Sequence, residues 1–480
     1  MTEVVNRKVQ YLAGICASVA FMFTGATLAW SSPAIPKFKS GEAGVTITDT
    51  QTSWAVSLHG LGALAGCYVG QVLNERAGRR RTIFGSAVPA LLGASLIMFS
   101  TSPEVMYVAR ILMGIATGII AVVTMIYVTE IADKEIRGAL GMTVQVMNNL
   151  GSLMVYGIGP FVSYTALNSI ILSIPICYVL LCVWIPESPY YHLKDGRVEA
   201  AKKEFVRLRG VKDEKWVDDQ MSVIRAHVRE SMENKTTVTE LLTNTRYRKA
   251  IYIVIGLKML QYMTGILIIQ SYLEVIFRQS SSISGSVASI VYGFVQITAG
   301  ICATFLTRYI GRRILMFTSC VGVSVSMTIL GTYFYLQDTK QVSPETLQSL
   351  SSLPLIGVLG FNIFYANGLG NLPYIMQAEL FPVNVKGVAS SLATMLACVL
   401  SFVVVKCYQN AKDLFGHYTV FWTFAAVGYV GLLFIYFFVP ETMGKTLEEV
   451  LDNVQEKPEE QEALRSENDT KANDSVIKEV

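Results

Sequence analysis

The sequence predicts an all-α membrane protein whose twelve transmembrane helices form two six-helix pseudo-symmetric halves. Three observations carry that prediction. Apolar runs of about twenty residues, the length a helix needs to cross the hydrocarbon core, recur along the whole chain. Charge is confined to the gaps between them. The polar signals at the ends of the runs then repeat in the second half. Of 480 residues, 52% are hydrophobic and 16% charged, against about 25% charged in a soluble domain. Continuous apolar runs, rather than short alternating segments, exclude a membrane barrel.

Spans 1 to 6 are expected at 11–30, 53–73, 82–100, 105–128, 140–162 and 167–185, and spans 7 to 12 at 250–277, 284–306, 314–336, 353–378, 388–407 and 418–439. The chain thus divides into an N-terminal half (1–185), a helical cytoplasmic segment (186–249), a C-terminal half (250–440) and a tail (441–480). Alternating the loops puts Arg76, Arg79, Arg80, Arg81, Lys134, Arg137, Arg308, Arg312, Arg313 and Lys386 on one side, and only Lys37, Lys39, Arg278, Lys340 and Lys412 on the other. The positive-inside rule therefore places both termini and the central segment in the cytoplasm.

The first run has no clear cleavage site and reads as an uncleaved helix. All eight cysteines fall in or beside apolar runs without metal-ligand spacing, so they read as small core residues. The glycosylation sequons at Asn234, Asn468 and Asn473 fall on the cytoplasmic side and are expected to stay unmodified. No cofactor is expected. A net charge of +3 gives no reason to expect a nucleic-acid partner. The expected partners are the lipid bilayer and a small-molecule solute.

Matched signals reveal an internal duplication. Glu75-Arg76-Ala77-Gly78-Arg79-Arg80 follows span 2, and Arg308-Tyr309-Ile310-Gly311-Arg312-Arg313 follows span 8. Span 4 ends in Glu130 with Arg137-Gly138 beyond, and span 10 ends in Glu379 with Lys386-Gly387 beyond. Pro186-Glu187-Ser188-Pro189 closes span 6, and Pro440-Glu441-Thr442 closes span 12. Two halves on one plan are the mark of a rocking transporter with its site between them. The arginines can pair with Glu130, Glu187, Glu379 and Glu441 and latch the cytoplasmic side shut. Alternatively they only set topology and bind lipid headgroups.

In their order and combination, these motifs resemble the sugar porters of the major facilitator superfamily, from about residue 10 to 450. Gln261 through Gly265, Glu379-Leu380-Phe381-Pro382 and Gly444-Lys445-Thr446-Leu447 belong to the same set. Trp30-Ser31-Ser32-Pro33-Ala34-Ile35-Pro36 and Ser53-Trp54 with Ser57-Leu58-His59 look most like the insect trehalose and hexose facilitators. The resemblance implies a sugar held near the bilayer midplane by side-chain amides and aromatic rings. Amides donate and accept hydroxyl hydrogen bonds, and rings cover the apolar sugar face.

By the same resemblance, Gln145 and Gln261 match sugar-binding glutamines, Gln296 stands where an amide is expected, and Asn149, Tyr262, Asn371 and Tyr374 complete the candidate contacts. The chain departs from the family at Tyr262 (usually glutamine), Leu267 (asparagine), Tyr374 (tryptophan), Ala397-Cys398 (Asn-Trp) and Met125 (proline). The latch departs at Glu75, Arg308 and Tyr190, so the second-half latch is expected to be the looser.

Charges inside the spans need a reason, since one at a helix centre costs about 2.5–3.5 kcal/mol. Arg110 is read as serving helix packing or the outer gate. Lys258 stands three residues before Gln261, on roughly the same helix face, where the family has an apolar residue. Two readings stay open: a stem that snorkels to the cytoplasmic interface, and a cavity charge that meets an anionic or strongly polar solute. No acid lies between Glu3 and Glu42, so span 1 lacks the carboxylate of a proton relay. Glu274 is read as interfacial. The tail from Glu456 is polar and expected to be disordered.

The expected function is facilitative sugar transport, of trehalose or a hexose, by alternating access at the cell membrane. The alternatives are the same fold carrying an organic anion or another small metabolite, suggested by Tyr262, Leu267, Cys398 and Lys258, and a transport-deficient nutrient sensor. No Walker loop, nucleophile–base pair or metal-ligand cluster suggests an enzyme.

Overall fold

The computed structural model describes residues 6–211, 213–233, 238–280, 284–339, 342–381 and 383–443. The tail from residue 444 on, with the 444–447 motif, and Pro382, Lys340 and the three sequons lie outside them.

Spans 1 to 4 are Lys8–Lys39, Asp49–Arg76, Arg79–Met98 and Pro103–Ile131. Spans 5 and 6 are Arg137–Ile158 and Tyr164–Cys182. Span 7 is Thr245–Met263 with Ile266–Ser280, and spans 8 and 9 are Gly285–Tyr309 and Arg312–Asp338. Span 10 is Leu353–Asn367 with Leu372–Glu379. Spans 11 and 12 share the run Val383–Phe438, which turns at Gly416 (φ 83°). Ten stretches are long and apolar enough to cross a membrane. The last of these contains both final spans, and span 5, whose apolar run is interrupted by Gln145, Asn148 and Asn149, brings the total to twelve among the described residues.

Local chemistry sets the ends. Thr48 closes a capping box with Gln51 at the start of span 2, and Ser102, Ser163 and Ser284 accept the first free amides of spans 4, 6 and 8. The faces turned away from the bundle carry exposed Val88, Leu92, Leu180, Phe294 and Leu433. Such surfaces suit hydrocarbon and would drive a soluble chain to aggregate.

Helices in lipid gain little from the hydrophobic effect and associate through close packing at small residues. Spans 2 and 4 follow that rule. A Cβ at Gly66 would stand 2.2 Å from the Ile115 carbonyl oxygen, and one at Gly118 the same distance from that of Ala63. Spans 1, 2 and 4 are also tied by Arg110, which is 1% exposed. Its guanidinium donates to the carbonyls of Ala55 (3.1 Å) and Thr27 (2.9 Å) and lies 4.8 Å from the Trp30 ring.

The two halves meet mainly from mid-span to the face opposite the arginine turns. Tyr156 donates to the Gln270 carbonyl (3.0 Å), the Glu274 amide donates to Ser32 Oγ (3.1 Å), and Lys406 lies 4.1 Å from the Trp54 ring. Glu274 is buried in this seam, its Oε1 accepting two hydrogen bonds from Arg278 (2.7 and 3.0 Å) while Oε2 has no partner. Between the halves, Pro189–Lys194, Val198–Arg209, Glu214–Glu233 and Val238–Thr243 form helices. The first three share a small core around Phe205 and Val217. Arg209 anchors this segment to the N-terminal half through Asp133 (2.6 Å).

Gly66→Val is expected to force spans 2 and 4 apart at a cost of about 1–3 kcal/mol or more, whereas Gly85→Val, with open space around its Cβ position, costs little. Thermal unfolding in detergent compares the two.

Candidate functional site

The residues marked by the sequence gather into four groups. Two lie where the spans surround the centre of the bundle, and two at the arginine turns.

The first central group joins the halves. Gln145 Nε2 donates to Asn149 Oδ1 (3.2 Å), and Asn149 Nδ2 donates to the backbone carbonyl of Gln296 (3.3 Å), linking spans 5 and 8. Gln145 is exposed, while Asn149 and Gln296 are buried. Gln296 Oε1 is a buried acceptor with no hydrogen-bond partner. Leaving such a group empty costs about 1–3 kcal/mol.

The second central group lies at two helix breaks in the C-terminal half. Span 7 is interrupted at Thr264-Gly265, where Gly265 takes φ 93°, and span 10 between Asn367 and Leu372. The breaks expose backbone groups inside the bundle, and side chains fill them. Gln261 Nε2 donates to the Gly370 carbonyl (2.9 Å), and Tyr365 donates to the Gln261 carbonyl (3.2 Å). Lys258 Nζ donates to Gln261 Oε1 (3.1 Å) and sits 3.3 Å from the centre of the Tyr374 ring. Tyr262 and Tyr374 pair through their hydroxyls at 3.4 Å. Tyr374 carries Lys258 on one face, pairs with Tyr262 and is 46% accessible. Asn371 is half-buried at the start of the second part of span 10, and Asn367 Oδ1 is another buried acceptor without a partner.

Both amide ends of Gln261 are therefore already engaged, and Lys258 is wholly enclosed. Tyr365 and the Gly370 carbonyl belong to the group although the sequence reading passed over them; the paired helix breaks were the available signal. Cys398, noted only as a departure from the family pattern, lies beside Cys67 of span 2 across the halves. Nothing in the spacing of the two cysteines signals that contact.

At the arginine turns, each half builds one network. Arg79 grips Glu130 with two hydrogen bonds (2.7 and 2.8 Å), and Ser188 hydroxyl also donates to Glu130. Glu187 accepts the backbone amides of Arg79 (2.9 Å) and Arg80 (3.1 Å), so a carboxylate caps the positive N-terminus of span 3. Gly78 permits this with φ 95°, and a Cβ there would lie 2.6 Å from Glu187 Oε2.

The second half repeats the design. Glu441 accepts the amides of Arg312 (3.0 Å) and Arg313 (3.1 Å), and a Cβ at Gly311 would strike its carboxylate. Here Arg312 reaches Glu379 at only 3.5 Å, and Thr442 supplies Glu379 with a hydroxyl at 2.5 Å. Each network lies within one half. Glu75 pairs with Lys194 (3.5 Å), and Arg76 borders the same surface cleft. Arg137 donates only to the Ala132 carbonyl (3.5 Å), and Lys386 is exposed without a carboxylate partner among the described residues.

The fold has close solved counterparts. The inward-open xylose transporter XylE from E. coli superposes with a TM-score of 0.75 at 19% identity, covering 93% of this chain and all of that one. The proton:xylose symporter XylE bound to 6-bromo-6-deoxy-D-glucose gives 0.73 at 20% identity over 94% of this chain and all of that one. In sequence, the facilitated trehalose transporter Tret1 of Bombyx mori is 34% identical over 443 residues, 92% of this chain and 86% of the relative. Tret1 of Polypedilum vanderplanki is 31% identical over 445 residues, 92% and 87% of the two chains. The family described as "Sugar (and other) transporter" matches residues 9–453, and the chain belongs to it. It is a multi-pass membrane protein with the major facilitator fold.

Glu130→Gln would leave Arg79, 8% exposed, without its counter-ion and is expected to cost about 3–5 kcal/mol. Glu379→Gln, in the longer and more exposed pair, is expected to cost about 1 kcal/mol or less. The difference in melting temperature between the two purified variants measures the asymmetry.

Proposed function

We propose that the protein is a facilitative sugar transporter that carries trehalose or a hexose by rocking its two halves around one central site. The observation that carries this reading is the Gln145–Asn149 amide pair, which bonds the Gln296 backbone carbonyl across the half-to-half seam, together with the buried Gln296 Oε1, which has no donor. A neutral polyhydroxylated solute supplies such donors without adding charge to the bundle. Tyr374 and Tyr262 offer ring surface to the apolar face of a pyranose. Membership of the sugar transporter family and the Tret1 relatives point the same way.

The arginine-rich face is the cytoplasmic one in this reading, by the positive-inside rule, with both termini and the central helices on that side of the cell membrane. The halves touch mostly on the outer side, as in an inward-facing state. The two arginine networks then keep each half rigid when the halves part, and latch the cytoplasmic side by meeting in the outward-facing state. Uniport fits the engagement of Glu274 by Arg278 and the lack of acids in span 1.

Counterflow of labelled trehalose and glucose in proteoliposomes tests the proposal. Saturable, pH-independent uptake is expected. Gln296→Leu, which removes the empty acceptor, is expected to raise KM by about tenfold, the equivalent of one hydrogen bond to a buried group. Absence of uptake of both sugars in folded protein would overturn the reading.

A further inference from the structure

We infer that Lys258 is the counter-charge of a second subsite, one that takes the carboxylate of an acidic sugar such as a hexuronate. The inference rests on the central site proposed above and extends its substrate class from neutral sugars to monoanionic ones.

Lys258 is 0% exposed, nearly two turns of helix before the break in span 7. A snorkelling lysine would end in water at the interface, whereas this one ends inside the bundle on Gln261 and Tyr374. An ammonium carries three N–H donors and no acceptor. One is used by the Gln261 amide oxygen. The Tyr374 ring offers a cation–π contact but no lone pair of ordinary hydrogen-bond strength.

Other buried cations in the bundle are better provided. Arg79 has the Glu130 carboxylate, Lys37 has Glu42 and the Val162 carbonyl, and Arg110 has two carbonyls and a ring. No carboxylate pairs with Lys258 among the described residues. A full positive charge in the interior of a membrane protein is expensive, and it persists where function requires it.

Access to the ammonium is controlled by one ring, that of Tyr374, which covers Nζ and is itself 46% accessible. A turn of this side chain away from Tyr262 uncovers Nζ beside the Gln261 amide. A carboxylate arriving there restores neutrality and fills the unused N–H donors. The charge balance is one to one, which favours a monocarboxylate over a dianionic phosphate ester. The pyranose of the same solute then meets the amides and rings already assigned to neutral sugars.

The test is competition in proteoliposomes. D-glucuronate and unlabelled glucose are titrated against glucose counterflow, and the ratio of their inhibition constants is taken for wild type, Lys258→Met and Lys258→Arg. The ratio cancels general damage to the site, and melting temperatures confirm folding. Wild type is expected to be inhibited by glucuronate, with the ratio shifting against glucuronate by about tenfold or more in Lys258→Met, the scale of one charge-assisted hydrogen bond, and holding in Lys258→Arg. If Lys258→Met does not fold, Lys258→Gln replaces it. An unchanged ratio, or a wild type indifferent to glucuronate, overturns the inference. If wild type carries neither glucose nor trehalose, labelled glucuronate is offered alone. Uptake lost in Lys258→Met would then uphold the carboxylate subsite and overturn the neutral-sugar reading, and no uptake would overturn both.

Discussion

Hydrocarbon offers no hydrogen bonds, so every backbone amide and every charge that enters it must find a partner within the chain. The architecture follows from that constraint. Twelve helices satisfy their own backbones, and their ends, where four amides and four carbonyls go unpaired, gather the charged side chains. Glu187 and Glu441 settle on the first amides of spans 3 and 9, and the arginines that provide those amides turn their side chains to the acids of spans 4 and 10 or to nearby backbone carbonyls. The same motif thus closes two helix ends and joins three neighbouring spans in each half.

The constraint also explains where helices stop short. Spans 7 and 10 break inside the bundle, and the backbone groups they release are held by side chains from the partner span. Gln261 takes the Gly370 carbonyl, and Tyr365 takes that of Gln261. Irregular backbone is tolerated at this depth because it is buried in protein or lines a cavity. The breaks give the C-terminal half a polar centre of fixed geometry. The N-terminal half instead contributes side-chain amides from an unbroken helix, span 5. The two halves share a plan at the arginine turns and diverge at the centre.

The spans, their number and the duplicated end signals were legible in the sequence because each depends on local composition and spacing. Span 5 could be read despite Gln145, Asn148 and Asn149 because the residues flanking them remain apolar. The expectation of a looser second network rested on Glu75, Arg308 and Tyr190, whereas the longer ion pair lies at Arg312–Glu379, whose residue types match those of Arg79–Glu130. What could not be read was which partners tertiary packing would supply. Arg137 and Lys386 recur as faithfully as the other arginine-turn residues, yet neither reaches a carboxylate among the described residues. Glu274 looked interfacial from its place near a helix end, but span 1 packs over it and buries it. Lys258 had two readings, a snorkelling stem and a cavity charge, and its contact with Tyr374, more than a hundred residues away, could not be read from the helix that carries it.

The unequal bracing of the halves bears on how they move. Asp133, just beyond the end of span 4, receives Arg209 of the central helices and Gln10 of span 1, which ties the central segment to the N-terminal half. The C-terminal half has the longer ion pair, two broken helices and a centre held by single hydrogen bonds. Rocking that keeps both bodies rigid requires only the seam to change. Rearrangement within a body needs weak internal contacts, and those lie in spans 7 and 10, where one end of the Gln261 amide holds the Gly370 carbonyl and the other is held by Lys258.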